Sequence, residues 1–450
     1  MKRHTRNAWM ALASAGAVTA VVVLVSAGHE HGLGAAPSAG AHSCPTAAFP
    51  GETVTVAPTP SPSSADRTIS ALPRTVEPGW SGAWSTAVQD IDGPDLTGRT
   101  LRQVVRPTLG GSRFQLRLAN TFGTEPVRLS KVTAGLALDN GPSVQGGSVR
   151  PVTFGGARDV EIPPGGRVIS DPVELSRPLR RSLAIDVVPR GPTAAGTGHS
   201  RPVATSYLAE GDHAGATAGD VFTHSVSSWY WLEGIDVPDP AGTGTISMFG
   251  DSITEGASST PDANRRWPDL LAARMHQHAG TATLGVLNEG IGGNRVVSEN
   301  QGCASPSASG LRRFGHDVLD RPDVRVVVIA LGINDIASGT PATTVIDGLT
   351  QLADRAHEHG LRVVGATLTP FTCATGCLTP EKEQQRTLVN GWVRTAPEFD
   401  AVVDFDAAVR DPADPQRLLP ANDSGDHLHP SDAGMAALAA AFDLDAWVGK

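Results

Sequence analysis

Aromatic residues and basic charge are scarce in this sequence, and each shortage argues against one class of function. Aromatic side chains make up only 5% of the 450 residues, which leaves few rings for a surface that stacks against sugars. Acidic residues (46) outnumber basic ones (36), and the formal net charge of −10 offers no basic surface for nucleic acid. Hydrophobic residues reach 40%, which is enough for a folded core, so wholesale disorder is excluded.

Cysteine is also scarce, with four residues in the chain: Cys44, Cys303, Cys373 and Cys377. Such a number suits an oxidising compartment. Cys373 and Cys377 are separated by Ala-Thr-Gly, which is close enough for a small local disulfide loop. A metal site on this pair is the alternative, although no second cysteine pair completes four ligands. Cys44 and Cys303 remain and could pair by default, but the sequence does not fix their connectivity.

The N-terminus has the pattern of an export signal. Lys2, Arg3 and Arg6 form a basic segment, and an apolar stretch follows from Ala8 to about Ala27. We therefore predict a signal peptide or N-terminal anchor in residues 1–43 and a secreted, extracellular protein. The apolar stretch is near the length of a membrane span, so an uncleaved anchor on the outer face of the membrane is the alternative. No second long apolar run follows, and residues 44–76 are a predicted Pro/Ser/Thr-rich linker.

Residues 77–238 show short strand patterns separated by turn signals such as Gly110-Gly111 and Asn140-Gly141-Pro142. The predicted strands cover residues 101–106, 114–118, 127–138, 160–162, 168–175 and 183–188. No helical period of useful length interrupts them. We therefore predict an all-β sandwich that forms an accessory domain.

Residues 242–450 change to an alternation of strands and helices. The predicted strands cover residues 245–249, 284–288, 324–331, 362–368 and 402–405, and the predicted helices cover 267–277, 310–319, 343–358, 381–394 and 431–447. The continuous apolar run Val326–Ala330 indicates a strand buried on both faces, as in a parallel sheet covered by helices. The predicted fold class of this region is α/β.

Three residues follow predicted strand ends in the α/β region: Ser252, Gly293 and Asn334. Working residues of a parallel sheet lie at the carboxyl ends of its strands, so we expect the three to meet in one crevice. Ser252 is a candidate nucleophile, although Gly-Asp-Ser after a strand is also typical of a turn and helix cap. The N–H groups of Ser252 and Gly293 and the amide of Asn334 are candidate oxyanion donors. A phosphate-binding loop at Gly290–Gly293 is disfavoured because the Gly-x-Gly-x-x-Gly spacing is missing.

His429 is the strongest candidate for the base that activates Ser252. Asp426, three residues earlier, can accept the Nδ1 proton of His429 and leave Nε2 to accept the serine proton. A histidine-rich surface loop and a metal pair made by His427 and His429 are the alternatives, but no further ligand cluster with suitable spacing occurs. Activity is expected to fall at acidic pH as His429 becomes protonated.

A family resemblance rests on the blocks Gly250-Asp251-Ser252-Ile253, Gly293, Gly332-x-Asn334-Asp335 and Asp426-x-x-His429. In this order they resemble the four blocks of the SGNH (GDSL-like) hydrolase family, and the resemblance spans about Gly242 to Val448. It implies a flavodoxin-like three-layer α/β/α domain and a serine esterase or acylhydrolase that needs no metal or other cofactor. It also implies that Ser252 is the nucleophile, His429 the base and Asp426 its partner, with Gly293 and Asn334 completing the oxyanion hole. The block Gly-Asp-Ser-Ile replaces the leucine of Gly-Asp-Ser-Leu by another aliphatic residue.

The upstream region is similar to secreted actinobacterial members of this family that carry a β-sandwich before the catalytic domain. This looser resemblance rests on Trp80-Ser81-Gly82-Ala83-Trp84, Leu101-Arg102-Gln103 and Arg117-Leu118-Ala119-Asn120. It resembles a subgroup associated with xylan esterases and so points to acetylated polysaccharide.

The predicted function is that of a secreted serine esterase that forms an acyl-enzyme on Ser252. We expect a small-molecule or polysaccharide ester as substrate, no nucleic acid partner, no stable membrane insertion unless the N-terminal segment is uncleaved, and a monomer. The alternative is a glycan- or cell-wall-binding protein that acts mainly through its β-sandwich.

Overall fold

Two kinds of sheet follow one another along the chain, antiparallel first and parallel second. The computed structural model describes residues 79–175, 179, 181–191, 196–239, 241–302, 305–373 and 377–445. The predicted signal or anchor region, the predicted linker, Cys44 and Cys303 lie outside the described residues.

The first part contains fifteen strands within the described residues. They are β1 (Trp80–Ser85), β2 (Gln89–Ile91), β3 (Arg99–Val105), β4 (Arg113–Ala119), β5 (Val127–Leu136), β6 (Arg150–Val152), β7 (Val160–Ile162), β8 (Arg167–Ile169), β9 (Val173–Glu174), β10 (Leu183–Pro189), β11 (Gly196–His199), β12 (Ser206–Glu210), β13 (His224–Val226), β14 (Trp229–Tyr230) and β15 (Leu232–Pro238). They form three antiparallel sheets, with the orders β1-β15-β4-β8, β13-β12-β3-β10-β5-β6 and β14-β11-β2. The predicted strand-rich, antiparallel character of this part is confirmed.

The two larger sheets share one apolar core. Leu116 and Leu118 of β4 pack in the same cluster as Leu101 of β3 and Ile185 of β10, and all four side chains are fully buried. Because a pleated strand directs alternate side chains to one face, these residues reach the core from both sheets.

The strand predicted over residues 168–175 is divided in the structure. β8 ends at Ile169, and β9 begins at Val173. The segment between them contains Asp171, whose carboxylate accepts the N–H groups of Gly155 and Gly156, and Pro172, which has no N–H for a sheet ladder.

The second part contains five parallel strands and eight α-helices within the described residues. The strands are β16 (Thr245–Gly250), β17 (Gly285–Gly290), β18 (Val324–Ala330), β19 (Arg362–Ala366) and β20 (Ala401–Val403). The helices are α1 (Ser252–Glu255), α2 (Trp267–Met275), α3 (Gly310–Phe314), α4 (Ile333–Ala337), α5 (Ala342–Glu358), α6 (Pro380–Val393), α7 (Phe405–Val409) and α8 (Asp432–Ala440). The strand order β17-β16-β18-β19-β20 is the flavodoxin-like order, which confirms the predicted α/β fold class.

Helix α5 shows why the helical pattern could be read from the sequence. Its buried residues Val345, Leu349, Leu352 and Ala356 recur every three or four positions, so they form one stripe that faces the sheet. The helix is followed by Gly360 at φ +72°, a left-handed conformation in which glycine commonly follows a helix.

Two predicted helices differ from the observed ones. The helix predicted over 310–319 begins as α3 and continues as a π-helical turn, Gly315–Leu319. The helix predicted over 431–447 ends at Ala440, and residues 446–450 lie outside the described part. Within the described residues, no helix is both long and apolar enough to cross a membrane.

The β-rich part lies against β17, the edge strand of the parallel sheet. Thr86 forms a parallel bridge with Asn288, and the Thr108 hydroxyl donates to the Val286 carbonyl at 3.0 Å and accepts its N–H at 2.9 Å. This covers an edge whose backbone groups would otherwise be exposed. The limits 77–238 and 242–450 remain predictions, but the two regions are in direct contact at this edge.

A buried ionic cluster reinforces the same contact. The Arg321 guanidinium lies 2.9 Å from both Glu233 of β15 and Glu289 of β17. Burial alone would raise the pKa of Glu233, but the charges of Arg167 and Arg321 lower it to about 2. A buried carboxylate is stable here because it is paired with Arg167 of its own region and with Arg321 from the other side of the contact.

Candidate active site

Ser252 lies in a tight turn between β16 and α1. Asp251 precedes the helix, and its carboxylate accepts the N–H of Ile253 at 3.0 Å, which is the geometry of an N-cap. A Cβ on Gly250 would lie 2.1 Å from the Thr254 hydroxyl oxygen, so the turn is too close for any side chain there. Local chemistry therefore fixes Ser252 at the first position of the helix.

The C-terminal loop places His429 beside Ser252. The Nε2 atom of His429 lies 2.9 Å from the Ser252 Oγ, and its Nδ1 lies 2.6 Å from an Asp426 carboxylate oxygen. An ionised carboxylate only accepts, so Nδ1 carries a proton and donates it to Asp426. In the neutral imidazole, Nε2 is then free to accept the proton of the Ser252 hydroxyl.

Asp426 is held in this position by the backbone of the same loop. Its second carboxylate oxygen accepts the N–H of His429 at 2.8 Å and the N–H of Leu428 at 2.9 Å. Partial burial raises the pKa of Asp426, but the hydrogen bonds from the His429 ring and from the backbone lower it to about 2. Asp426 is therefore a carboxylate, and not a carboxylic acid, over the range in which an imidazole titrates.

Asn334 lies beside the turn that contains Gly293. One amide hydrogen of Asn334 is donated to the Asn294 carbonyl at 3.0 Å, which leaves the second for another acceptor. Gly293 has φ +72°, and a Cβ on it would lie 2.5 Å from the Asn300 Nδ2. Within the described residues, the backbone N–H groups of Ser252 and Gly293 donate to no protein acceptor.

Two buried aspartates hold these turns. Asp335 accepts the N–H of Val296 at 2.8 Å and that of Val297 at 3.3 Å, so it fixes the segment after Gly293. Burial raises the pKa of Asp335 to about 6 and that of Asp251 to about 7. Both accept backbone N–H groups, and within the described residues neither is hydrogen-bonded to His429.

Comparison with known proteins agrees with this geometry. Residues 248–437 match the model of the GDSL-like Lipase/Acylhydrolase family. This part of the chain is a GDSL-like lipase/acylhydrolase domain. The protein is therefore a serine carboxylester hydrolase. No curated protein matches the chain at a significant level.

Several solved structures are similar to part of the chain. A GDSL-like lipase from Bacteroides thetaiotaomicron VPI-5482 is 20% identical over 47% of this chain and 90% of its own, with a TM-score of 0.35. A carbohydrate acetylesterase family member from Sinorhizobium meliloti is 19% identical over 44% and 94%, with a TM-score of 0.36. A member of the lipolytic protein G-D-S-L family from Veillonella parvula DSM 2008 is 20% identical over 44% and 94%, with a TM-score of 0.32.

Arg313, which the sequence motifs do not reveal, joins the carboxyl ends of β16 and β17 in the GDSL-like domain. This buried guanidinium donates to the carbonyls of Gly250 at 2.7 Å and Glu289 at 2.9 Å, and to the Asn294 side chain at 2.9 Å. Asp317, four residues later, balances its charge at 2.8 Å. The only hint in the sequence is an Arg–Asp pair at helical spacing, which is far more often an exposed ion pair.

The loop 257–266, which follows α1, is held by hydrogen bonds to two other parts of the chain. Asp262 accepts the N–H and the hydroxyl of Thr205, both at 2.7 Å, and so ties the loop to the β-rich part. Thr260 donates to Asp432, which opens α8 close to His429. Arg266 is buried and paired with Asp269 at 2.6 Å. Arg265, by contrast, is half-exposed beside Asp432.

The cysteine pair stabilises the loop that carries the histidine. Cys373 and Cys377 form a disulfide, so the alternative of a metal site on this pair is wrong. The N–H groups of Thr372 and Cys373 donate to the His427 carbonyl at 2.9 and 3.1 Å. In the described part of the chain, no group of three or more His, Cys, Asp or Glu side chains is arranged to hold a metal ion.

Four aromatic residues of the β-rich part lie inside it. Trp84, Trp229, Tyr230 and Trp231 are each at most 5% exposed, and Trp84 packs edge-on against Trp229 with ring centroids 4.8 Å apart. The large hydrophobic side chains exposed on the described surface are Leu138, Leu388 and Val402, and none of these is aromatic. Among the described residues of the β-rich part, Trp80, Phe122, Phe154 and Tyr207 are partly exposed.

Proposed function

We propose that the protein is a secreted serine esterase that uses Ser252 as nucleophile, His429 as general base and Asp426 as the residue that orients the base. The observation that carries this proposal is the continuous hydrogen-bonded series from Asp426 through both ring nitrogens of His429 to the Ser252 hydroxyl, with contacts of 2.6 and 2.9 Å. A serine hydroxyl is a weak nucleophile until a base accepts its proton, and this series supplies the base in the correct tautomer.

The reaction takes place in two halves. Ser252 Oγ attacks the ester carbonyl carbon while His429 Nε2 accepts the hydroxyl proton, and the imidazolium then donates that proton to the departing alcohol. The product is an acyl ester on Ser252. Water next attacks this ester, its proton goes to His429, and the return of that proton to Ser252 Oγ releases the carboxylic acid.

The developing negative charge on the carbonyl oxygen needs donors that are fixed in advance. The N–H groups of Ser252 and Gly293 and the second amide hydrogen of Asn334 have no acceptor among the described residues. Donors held in this way stabilise the tetrahedral intermediate without reorganising at the moment of reaction.

The proposed location of the protein and its proposed substrate are supported by features of the sequence. The basic N-terminal segment and the apolar stretch after it support export, and the Cys373–Cys377 disulfide is consistent with an oxidising compartment. The resemblance of residues 80–84, 101–103 and 117–120 to xylan-esterase-associated proteins supports an acetylated polysaccharide as substrate.

The test compares the wild-type protein with Ser252→Ala on nitrophenyl esters of increasing acyl length and on acetylated xylan. We expect release of acetate from xylan by the wild type and complete loss of turnover in Ser252→Ala, with unchanged thermal unfolding. An acid-quenched reaction should leave an acyl group on the peptide that contains Ser252. Ser112→Ala, at an exposed serine far from the site, is the matched control and should behave as wild type. Undiminished hydrolysis by Ser252→Ala would contradict the mechanism, and failure to release acetate from xylan would contradict the substrate.

A further inference from the structure

The small sheet β14-β11-β2 brings two buried polar side chains of the β-rich part to the GDSL-like domain. Gln89 begins β2 and His199 ends β11, and their side chains are at most 2% exposed. Each contacts a different loop of the active site. A polar side chain this deeply buried requires partners, and both find them across the contact between the two regions.

His199 contacts the nucleophile helix. Its Nε2 lies 3.1 Å from a carboxylate oxygen of Glu255, the last residue of α1 and the third after Ser252. Its Nδ1 lies 2.8 Å from the Ala87 carbonyl, which only accepts, so Nδ1 carries a proton. The Nε2 atom therefore faces the Glu255 carboxylate, and this contact joins the β-rich part to the helix that carries Ser252.

Glu255 in turn lies directly under the turn that contains Gly293. A Cβ on Gly290 would lie 2.1 Å from the Glu255 backbone nitrogen, and a Cβ on Gly292 would lie 3.0 Å from its carboxylate. The helix that carries Ser252 and the turn that carries Gly293 are therefore packed against each other at Glu255. Any shift of this side chain changes the distance between the nucleophile and an oxyanion donor.

Gln89 supports the oxyanion side of the site independently. Its amide donates to the Ser305 hydroxyl at 3.0 Å and to the Pro306 carbonyl at 2.9 Å. The following residues, Ser307 and Ala308, accept the side-chain amide of Asn294 at 3.0 and 2.8 Å. The Asn294 carbonyl is the acceptor that orients Asn334. A short series of contacts thus leads from β2 to an oxyanion donor.

We propose that His199 and Gln89 are positioning residues for ester hydrolysis, so that the β-rich part completes the active site and is not a separable accessory module. His199 holds the nucleophile helix through Glu255, and Gln89 holds the segment that orients Asn334. This inference rests on the proposed function, because it assumes that Ser252 and Asn334 act on the ester.

The test measures kcat and KM for nitrophenyl acetate in full-length His199→Ala and Gln89→Leu. Misplacement of reacting groups by about 1 Å costs up to about 100-fold in rate, so we expect kcat in His199→Ala to fall by about 10- to 100-fold while KM changes little. The rate at which a fluorophosphonate labels Ser252 should fall in parallel. His199→Gln keeps an N–H that can donate to Glu255 and should recover most of the lost kcat.

The control is Ser81→Ala, which breaks a contact between the same two regions away from the site. The Ser81 hydroxyl donates to Asp239 at 2.8 Å and to Asp323 at 3.2 Å, and Asp323 precedes β18, at the opposite end of the sheet from Ser252. Its kcat should stay near the wild-type value. If His199→Ala unfolds, the double variant His199→Ala/Glu255→Gln removes the unpaired carboxylate, and its kcat should still be low.

Three results would overturn the inference: wild-type kcat in His199→Ala or in the double variant, an equal loss of kcat in Ser81→Ala, or no recovery in His199→Gln. Failure of the proposed function is a distinct outcome. If Ser252→Ala keeps its activity, the catalytic assignment fails whatever the His199 variants do. If Ser252→Ala is inactive and His199→Ala matches the wild type, only the positioning role is lost.

Discussion

Asp426 binds both the ring and the backbone of His429, with one carboxylate oxygen 2.6 Å from Nδ1 and the other 2.8 Å from the backbone nitrogen. The aspartate therefore fixes where the loop lies and which tautomer the ring adopts. A second aspartate, Asp423, makes a similar pair with His427 in the same loop, with a contact of 2.6 Å. His427 is more than half exposed, whereas His429 faces Ser252.

The Asp426–His429 and Asp423–His427 pairs allow a matched test of the role of Asp426 as partner of the base. In Asp426→Asn one oxygen becomes an NH2 group, which cannot accept, so either the ring or the backbone loses its partner. We expect kcat for nitrophenyl acetate to fall by about 10⁴-fold with little change in KM. Asp423→Asn makes the same chemical change beside His427 and should keep most of the activity. Equal losses in the two variants would contradict the assignment of Asp426.

Asn334 offers a test of the oxyanion site. Asn334→Asp keeps the shape of the side chain but removes both amide donors, and it places an oxygen against the Asn294 carbonyl. Loss of one such donor lowers kcat by about 100- to 1,000-fold, so we expect a decrease of at least that size. Steady-state kinetics give kcat and KM separately, and thermal unfolding checks the fold. A kcat within about twofold of wild type would remove Asn334 from the mechanism.

Alanine substitutions at Gly293 and Gly339 distinguish a loss of stability from a loss of catalytic rate. Both have positive φ, +72° and +91°, but only at Gly293 would a Cβ collide, at 2.5 Å from Asn300 Nδ2. Replacing either with alanine should cost about 1–2 kcal/mol because the left-handed conformation is strained. Gly293→Ala should in addition lower kcat, since the Asn300 side chain must move away from the turn. Denaturant unfolding and ester kinetics measure the two effects, and equal kcat in both variants would contradict the role of this turn.

The raised pKa of Asp251 predicts a pH dependence of stability. Burial raises this pKa from 3.8 to about 7. The folded state then holds the proton more tightly than the unfolded state, so the stabilising contribution is complete at acidic pH and is lost as the pH rises from about 4 to about 7. Each pKa unit corresponds to about 1.4 kcal/mol, so this contribution is on the order of 4 kcal/mol.

Asp251→Asn removes the titrating group but keeps an oxygen that can accept the Ile253 N–H. We expect the free energy of unfolding of the wild type, measured relative to this variant, to fall by about 1–4 kcal/mol between pH 4 and pH 8. Denaturant titrations across that range measure the difference. Asp354→Asn, at an exposed position on α5, controls for removal of a charge. A difference that is constant with pH would show that Asp251 is ionised in the folded protein throughout.

The order of elements in the GDSL-like domain could be predicted because it depends on local patterns. The apolar run of β18 and the stripe on α5 each lie within one element, and their predicted bounds differ from the observed ones by one residue. The many short strands of the β-rich part were predicted less completely. β11 (Gly196–His199) and β14 (Trp229–Tyr230) have four and two residues, too few for a period to be recognised, and they exist because neighbouring strands complete their hydrogen bonds.

The sequence by itself predicted which residues carry the proposed chemistry. Short motifs contain Ser252, Asn334 and His429, and these motifs can be recognised without knowing the fold. Because parallel strands place their carboxyl ends at one edge of a sheet, the motifs that follow those ends are expected to lie together. Only the tertiary structure decided which other residues hold Ser252, Asn334 and His429 in position. Arg313 joins the ends of β16 and β17, and His199 meets Glu255 across 56 positions of the chain. Such contacts depend on how two sheets pack at β17, and no local preference of the residues encodes that packing.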